Sequence, residues 1–267
     1  MNSLERSLIL KAGYDYGWEI VVDESQDEVV LASALHHARA RIRSSPPAVR
    51  WLLTLKPHHI HHELERTETE CYLTDEYFGA DNEAELGRLL GQAARLARTL
   101  PDEPCRRFSK AVAEALASTT GITAATEIER VVRQRVGQDI FRASLMDYWR
   151  GACAVTGIAI PELLRASHAR PWAECDSDAE RLNVFNGFLL TAHLDALFDR
   201  HLMTFSDDGE ALFARKIDSD VQSTLGLSGR IRLRWIRSEH LPFLRHHRAT
   251  FERSTAGIPI EVATNTS

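Results

Sequence analysis

Apolar and polar positions along the first sixty residues predict short strands. Residues 18–22 and 28–31 are rich in valine and flank a polar segment at 23–27, which is typical of two strands joined by a turn. Residues 50–55 predict a further strand. From Asn82 the period changes, because leucine and alanine recur at helical spacing from Leu86 to Leu100. Pro101 ends this predicted helix, and an alanine-rich helix follows at 106–117.

A small, polar, glycine-containing segment at 118–125 is the best candidate for a domain boundary. Thr126 with Glu129 three residues later has the spacing of a capping box, and it predicts a new helix that reaches residue 149. Gly137 leaves open whether this is one helix or a pair. The sequence therefore predicts a first domain at 1–120 and a second at 126–267.

After this long helix, the second domain is predicted to contain short strands, turns and one short helix. Asp195 and Asp199 are four residues apart on the predicted helix, so both carboxylates project from one face and can present oxygen donors to one cation. A hairpin around the Asp-Asp-Gly turn at 207–209 and a closing helix at 239–253 complete the pattern.

Composition narrows the class of protein. The chain has 267 residues, which favours two domains at about 100–200 residues each. Hydrophobic residues make up 44% and charged residues 26%, an ordinary composition for a folded protein. No apolar run reaches about 18 residues and the N-terminus lacks a signal-peptide pattern, so we expect a cytoplasmic protein without a membrane segment. Four widely spaced cysteines without a C-x-x-C pair argue against a disulfide scaffold or a cysteine zinc site.

Net charge neither predicts nor excludes nucleic-acid binding. The total is −6, and the first 140 residues carry most of it, with 17 Lys and Arg against 22 Asp and Glu. Arginines nevertheless cluster at Arg230, Arg232 and Arg234, whose alternation would place three cations on one strand face. That face would either contact phosphates or be simply solvated.

Three linked blocks carry a family resemblance. They are Ser167-His168-x-x-Pro171-Trp172, then Asn186-Gly187-x-Leu-Leu190, then Asp195-x-Leu-Phe198-Asp199. In this order they resemble the HNH endonucleases, in the branch that is related to restriction enzymes. The resemblance extends from about residue 127 to residue 253, and the first 120 residues carry none.

The resemblance implies a C-terminal ββα-metal (HNH) nuclease domain. Its first strand, loop, second strand and helix would lie at residues 163–168, 174–180, 187–190 and 192–198. Together with an N-terminal mixed α/β domain of unknown type, the fold class is α+β. By resemblance His168 is the general base, Asn186 holds the loop that orients it, and Asp195 is a metal ligand, with Asp199 and Ser167 as further candidates. Carboxylate donors favour Mg²⁺ or Mn²⁺. Ser167 stands where many relatives have Asp or His, which leaves the inner ligand set open.

The implied function is metal-dependent hydrolysis of DNA phosphodiester bonds, in restriction or defence against foreign DNA. DNA is the expected partner and a homodimer the expected assembly, because one such site cuts one strand at a time. The first domain would recognise a sequence, a modified base or an activating signal. The alternatives are a non-catalytic nucleic-acid-binding module with a degenerate HNH core and an RNA-cleaving nuclease.

Histidines outside the three blocks give weaker evidence for a functional site. Four histidines lie within residues 58–62 and could bind a metal. No acidic residue or cysteine stands at a spacing that would complete such a site, so a metal site is the less favoured interpretation. His201 follows the predicted helix closely, where it would lie on the surface or touch phosphate.

Overall fold

The computed structural model describes residues 1–47, 49–74, 76–117 and 125–255. The chain forms two compact units, Met1–Glu103 and Pro104–Ser267. Both contain helices and strands, so the predicted mixture of α and β structure is confirmed. Most of the predicted boundary at 118–125 lies outside the described residues. The division into domains 1–120 and 126–267 therefore stays a prediction.

The first unit is built on an antiparallel sheet with helices beside it. Its elements are α1 Ser3–Asp15, β1 Ile20–Glu24, β2 Glu28–Ala32, β3 Arg39–Ser44, β4 Trp51–Lys56, α2 His58–Thr67, β5 Tyr72–Thr74, β6 Tyr77–Ala80 and α3 Glu83–Thr99. The strand order in the sheet is β1-β2-β3-β4-β6-β5. Helix α4 Glu103–Ala117 starts at the last residue of this unit and continues into the second. The strands predicted at 18–22, 28–31 and 50–55 correspond to β1, β2 and β4.

The two faces of this sheet differ because side chains alternate along each strand. In β3, Ala40 and Ile42 are buried, whereas the three arginines between and beside them are exposed. In β4, Leu53 and Leu55 are buried next to them. One face of the sheet therefore belongs to the core, and the other presents Arg39, Arg41 and Arg43 to solvent.

The elements of the second unit after α4 are α5 Ala125–Tyr148, β7 Leu164–His168, α6 Asp178–Arg181, β8 Gly187–Thr191, α7 Ala192–Asp199, β9 Met203–Phe205, β10 Ala211–Phe213, α8 Ser219–Thr224 and α9 Leu241–Thr255. Strands β7 and β8 form a hairpin that packs between the long helix α5 and the short helix α7, and β9 and β10 form a second hairpin. These agree with the strands and helices predicted after residue 126, and α6 adds a helical turn to the predicted loop at 174–180.

Helix α5 is continuous for 24 residues, so Gly137 does not break it. A Cβ atom at Gly137 would collide with the ring of Trp172, which packs against the helix at this point. Glycine is thus required by close approach rather than by helix termination. The capping box predicted at Thr126 depends on a side chain that lies outside the described part of the structure.

Phe141, Trp149, Phe188, Phe198 and Phe205 are among the fully buried aromatic side chains of this unit. Phe188 contacts the rings of Trp149, Phe198 and Phe205, so residues from the end of α5, both hairpins and α7 meet in one aromatic cluster. No helix in the described part of the chain is long and apolar enough to cross a bilayer.

Candidate functional site

The β7–β8 hairpin brings the first two sequence blocks together. The strands pair antiparallel, with His168 opposite Gly187 at one end and Leu164 opposite Thr191 at the other. A Cβ atom at Gly187 would collide with the carbonyl oxygen of Ser167 and approach the Phe141 ring. Its backbone is extended, with φ of −174°. Glycine at position 187 therefore allows the two strands to approach closely, and it is not required by a turn with positive φ.

His168 is held by one ring contact and one hydrogen bond. Its imidazole stacks on Phe141, with centroids 3.7 Å apart and planes inclined by 13°. Nε2 lies 2.9 Å from the carbonyl oxygen of Arg181. Because a carbonyl can only accept, Nε2 carries the proton and Nδ1 keeps a free lone pair. Burial lowers the pKa of His168 to about 4, although the bond to Arg181 opposes this shift. The ring is thus neutral near pH 7.

Asn186 is fully buried and joins the two ends of the loop that supplies the Arg181 carbonyl. Its side-chain oxygen accepts from the Arg170 backbone N–H at 2.8 Å, and its Nδ2 donates to the carbonyls of Arg170 and Glu180, each at 3.2 Å. Nδ2 also lies 3.3 Å from Cys175 Sγ. These are the contacts of a residue that fixes a loop rather than one that touches substrate. Cys175, a partner that the sequence did not suggest, belongs to the same network.

Ser167 and Asp195 are adjacent in space, because the Ser167 hydroxyl donates to the Asp195 carboxylate. Asp199 lies one turn further along α7. Its pKa is raised to about 6, first by desolvation and second by the negative charge of Asp195. The two carboxylates therefore share one region of the surface and repel each other.

This donor set fits a hard divalent cation, since two carboxylates and a hydroxyl present oxygen atoms on one side of the hairpin. No three His, Cys, Asp or Glu side chains within the described ranges converge as a metal-binding group. Mg²⁺ is commonly held by only one or two carboxylates and completes its coordination with water and substrate phosphate. The residues present are compatible with that kind of site.

A cavity of about 280 Å³ adjoins the catalytic candidates and contains two histidines from outside the sequence blocks. His168 and Asp199 line it, together with His201 and His247. His247 stacks on Phe198 at 3.8 Å, and its Nε2 donates to the carbonyl of that residue at 2.9 Å. His201 contacts the ring of His247 at 4.5 Å. Sequence spacing gave no signal for His247, which arrives from α9.

The arginines at 230–234 do not form the predicted strand face. Within the described chain this segment has one isolated bridge, between Arg232 and Glu210, and lies outside the named strands. Arg230 pairs with Glu210, and Arg232 donates to the Asp208 carbonyl at 3.1 Å. Arg234 points to the protein backbone, where it donates to the carbonyls of Trp149 and Ala152. The predicted strand face is wrong, because this segment forms only the isolated bridge within the described residues. Contact of Arg230, Arg232 and Arg234 with nucleic-acid phosphates stays a prediction.

Other arginines do flank His168. A groove of about 320 Å³ beside it is lined by Arg142, Arg165 and Trp172. A second groove, of about 470 Å³, contains Arg130, Arg133 and Arg181, and Trp172 borders both. Asp178 partly neutralises the second groove through ion pairs with both Arg133 and Arg181, and Arg130 pairs with Glu127. Arg142 and Arg165 of the first groove donate to backbone carbonyls, so among the described residues no ion pair cancels their charge beside the imidazole.

A comparison with protein families matches the region of the chain that contains this site. The family model for HNH endonucleases matches residues 153–206, about a fifth of the chain, which includes the β7–β8 hairpin and α7. The resemblance of the C-terminal half to this family is confirmed, and it supports nuclease activity in general. A comparison with curated proteins finds no match.

Proposed function

We propose that the second unit is a metal-dependent endonuclease that hydrolyses DNA phosphodiester bonds. The family match supports a nuclease, and the site geometry supports the assignment of roles. In this proposal the β7–β8 hairpin and α7 form the ββα-metal arrangement. His168 is the general base, Asn186 is a positioning residue, and Asp195 and Asp199 hold the cation beside Ser167.

The observation that carries the proposal is the tautomer imposed on His168. Its Nε2–H is committed to the Arg181 carbonyl, and no described residue hydrogen-bonds to Nδ1. A neutral imidazole with one accessible lone pair can take a proton from water near neutral pH. The water oxygen then attacks phosphorus while the bond from phosphorus to the leaving oxygen breaks.

Each remaining residue has a part in this reaction. A bound Mg²⁺ or Mn²⁺ would neutralise the charge that develops on the phosphate and leaving oxygen. Asp195 and Asp199 supply the negative charge that attracts such a cation. Asn186 keeps the Arg181 carbonyl in place, so the His168 ring cannot rotate and exchange its two nitrogens. The Phe141 ring limits movement of the imidazole on one side.

The grooves beside His168 give the phosphate backbone a path to the site. Arg142, Arg165 and Arg130 line these grooves, and backbone phosphates bind such side chains independently of base sequence. We assign DNA rather than RNA by the family resemblance, together with a role in restriction or defence. Since one site cuts one strand, a homodimer would explain a double-strand break.

The central experiment incubates the full chain with supercoiled plasmid, with single-stranded RNA and with no nucleic acid, in Mg²⁺, Mn²⁺ or chelator. We expect nicked or linear plasmid with either cation and intact plasmid with chelator. Preferential RNA cleavage would replace the substrate in this proposal. Binding of DNA without cleavage in any cation would favour the non-catalytic module instead.

The matched control for His168→Ala is His193→Ala, because His193 is an exposed histidine on the neighbouring helix α7. Only the His168 variant should lose activity. Size measurement of the active protein, with and without DNA, tests the homodimer. Linear products from a protein that remains monomeric at all concentrations would contradict this assembly.

A further inference from the structure

A cavity lined by residues of the exposed face of the first-unit sheet, and also by Leu55 of its core face and His61 of α2, has an unusual charge arrangement. Its volume is about 410 Å³, within the range of small-ligand pockets. The first unit as a whole is acidic, with 11 Lys and Arg against 18 Asp and Glu in residues 1–103. Yet the cavity collects Arg39, Arg41 and Lys56. Positive charge is thus concentrated at one place on an acidic unit.

The register of β3 and β4 places two of these positive charges directly opposite each other, which is unfavourable when no ligand is bound. Arg39 of β3 and Lys56 of β4 are direct cross-strand partners. Like charges in directly opposite positions destabilise a sheet. Lys56 makes no ion pair or hydrogen bond with the described residues, and Arg39 donates only to two backbone carbonyls nearby, those of His37 and Ala38. An anion between the two side chains would remove the repulsion.

Acidic groups near the cavity offset this charge only in part. Glu28 pairs with Arg41 at 2.7 Å, and Glu76 also lines the cavity. Three cationic side chains against these two carboxylates leave an excess of positive charge. Arg43, the next arginine on the same face, lies over the Tyr77 ring at 5.2 Å and extends the basic surface.

A buried histidine supplies independent support for a ligand. His61 of α2 lines the cavity and is only 1% exposed, and its Nε2 has no hydrogen-bond partner in the described structure. A buried polar atom without a partner is costly. Burial lowers the pKa of His61, so the neutral ring can offer one N–H to an acceptor. The neighbouring histidines His58 and His62 do not form a three-ligand metal group with it, as far as the described residues extend.

The apolar part of the cavity suggests what accompanies the anion. Val22, Val30 and Leu55 form apolar lining, and the Tyr77 ring lies beside them. Aromatic and aliphatic surfaces next to cations suit a nucleoside, whose base has a flat apolar face. We propose that this cavity binds a nucleotide, with the phosphate at Arg39, Lys56 and His61 and the base toward Val30 and Tyr77. The phosphate belongs either to a free nucleotide or to a nucleotide within a strand.

The test measures binding by calorimetry to the full chain in the presence of chelator, so that cleavage does not interfere. The probes are AMP, GMP, the two unphosphorylated nucleosides, inorganic phosphate and a short single-stranded DNA oligonucleotide. We expect phosphorylated probes to bind at least tenfold more tightly than nucleosides, since charge-assisted hydrogen bonds are lost without the phosphate. Binding of free nucleotides identifies a small-molecule site, whereas binding of the oligonucleotide alone identifies a strand.

Lys56→Gln should weaken binding of the phosphorylated probe by about tenfold or more. Its matched control is Lys110→Gln, an exposed lysine on α4. Without ligand, Lys56→Gln should be as stable as the wild type or more stable, because a like-charge pair is removed. A residue with only a structural role would instead lower stability when substituted.

A site-specific readout completes the design. Addition of the bound nucleotide should shift the ¹⁵N resonance of His61 Nε2. An unchanged resonance, equal binding by Lys56→Gln, or no binding of any phosphorylated probe at millimolar concentration would overturn the proposal. His168→Ala should bind the nucleotide normally. Loss of cleavage and loss of nucleotide binding are therefore separate results, and failure of the nuclease assignment does not decide this one.

Discussion

The imidazole ring of His168 lies 3.7 Å from the phenyl ring of Phe141 and nearly parallel to it. Phe141 is 1% exposed and belongs to the long helix α5, whereas His168 ends strand β7. A rigid aromatic surface thus limits translation of the imidazole, and the Arg181 carbonyl limits its rotation. The position of the candidate base depends on two segments that are distant from it in sequence.

His168→Ala should reduce plasmid cleavage by about 10²–10⁴-fold, which is the usual contribution of a general base. Initial rates of nicking in Mn²⁺ measure this effect, and circular dichroism checks that the variant is folded. DNA binding should change little. Wild-type rates in the purified variant would exclude His168 as the base.

Asn186→Ala should lower both stability and activity. It leaves the Arg170 and Glu180 carbonyls without their side-chain donor, at a cost of about 1–3 kcal/mol in the free energy of unfolding. Urea unfolding measures this loss. The control is Asn183→Ala, which removes one hydrogen bond from the Phe185 N–H to Asn183 Oδ1 and should lower the free energy of unfolding by less. An Asn186 variant that unfolds and cleaves like the wild type would show that the loop does not need this residue.

Asp195→Asn should weaken Mn²⁺ binding more than Asp199→Asn does. Asp195 lies beside Ser167 at the hairpin, and asparagine can still accept the Ser167 hydrogen bond while it lacks the charge. Calorimetric titration with Mn²⁺ compares the variants, and Asp220→Asn on α8 controls for loss of a surface charge. Equal affinity in Asp195→Asn and the wild type would refute the ligand assignment.

Arg232 and Arg234 should behave differently when each is replaced by glutamine. Arg234→Gln removes donors to the Trp149 and Ala152 carbonyls, so it should lower the free energy of unfolding by about 1 kcal/mol. Arg232 is exposed, and Arg232→Gln should remove one phosphate contact and so reduce the salt dependence of DNA binding by about 0.9 in the logarithmic slope. Urea unfolding and salt-dependent binding curves measure the two effects. The reverse pattern would restore Arg234 as a phosphate contact.

The second unit should lose stability as pH falls below about 6.5. Burial lowers the pKa of His240 to about 4 and that of His247 to about 3. In the unfolded chain both titrate near 6.5, so between these values the unfolded state binds more protons and protonation favours unfolding. The stability that these two histidines contribute is therefore full above pH 6.5 and declines toward pH 4. His168, with its pKa also lowered to about 4, adds to this decline, whereas Asp199, with its pKa raised to about 6, opposes it.

Urea unfolding at several pH values measures this dependence. Each such histidine contributes a slope of up to about 1.4 kcal/mol per pH unit within its range. His240→Asn should flatten the curve, because asparagine does not titrate and can still accept from the Arg237 N–H that now donates to His240 Nδ1. A variant with the wild-type slope would assign the effect to other groups.

The sequence by itself determined the local elements of the candidate site. The order of the three blocks, through the family resemblance that they carry, predicted β7, β8 and α7 close to their observed bounds. Helical spacing, which is a property of neighbouring residues, placed Asp195 and Asp199 on one helical face. It also predicted α3 from its leucine and alanine spacing.

Tertiary structure decided which distant residues meet. Contacts in the site join segments that are far apart in sequence, so no local pattern of residues predicts them. Examples are Phe141 against His168, Asn186 against the Arg170 backbone, and His247 in the site cavity. Local alternation failed at Arg230–Arg234, since a strand forms only where a partner strand provides hydrogen bonds along its length. The cross-strand pair of Arg39 and Lys56 likewise depends on sheet register. Backbone pairing and packing, which are set by the whole chain, decide these positions.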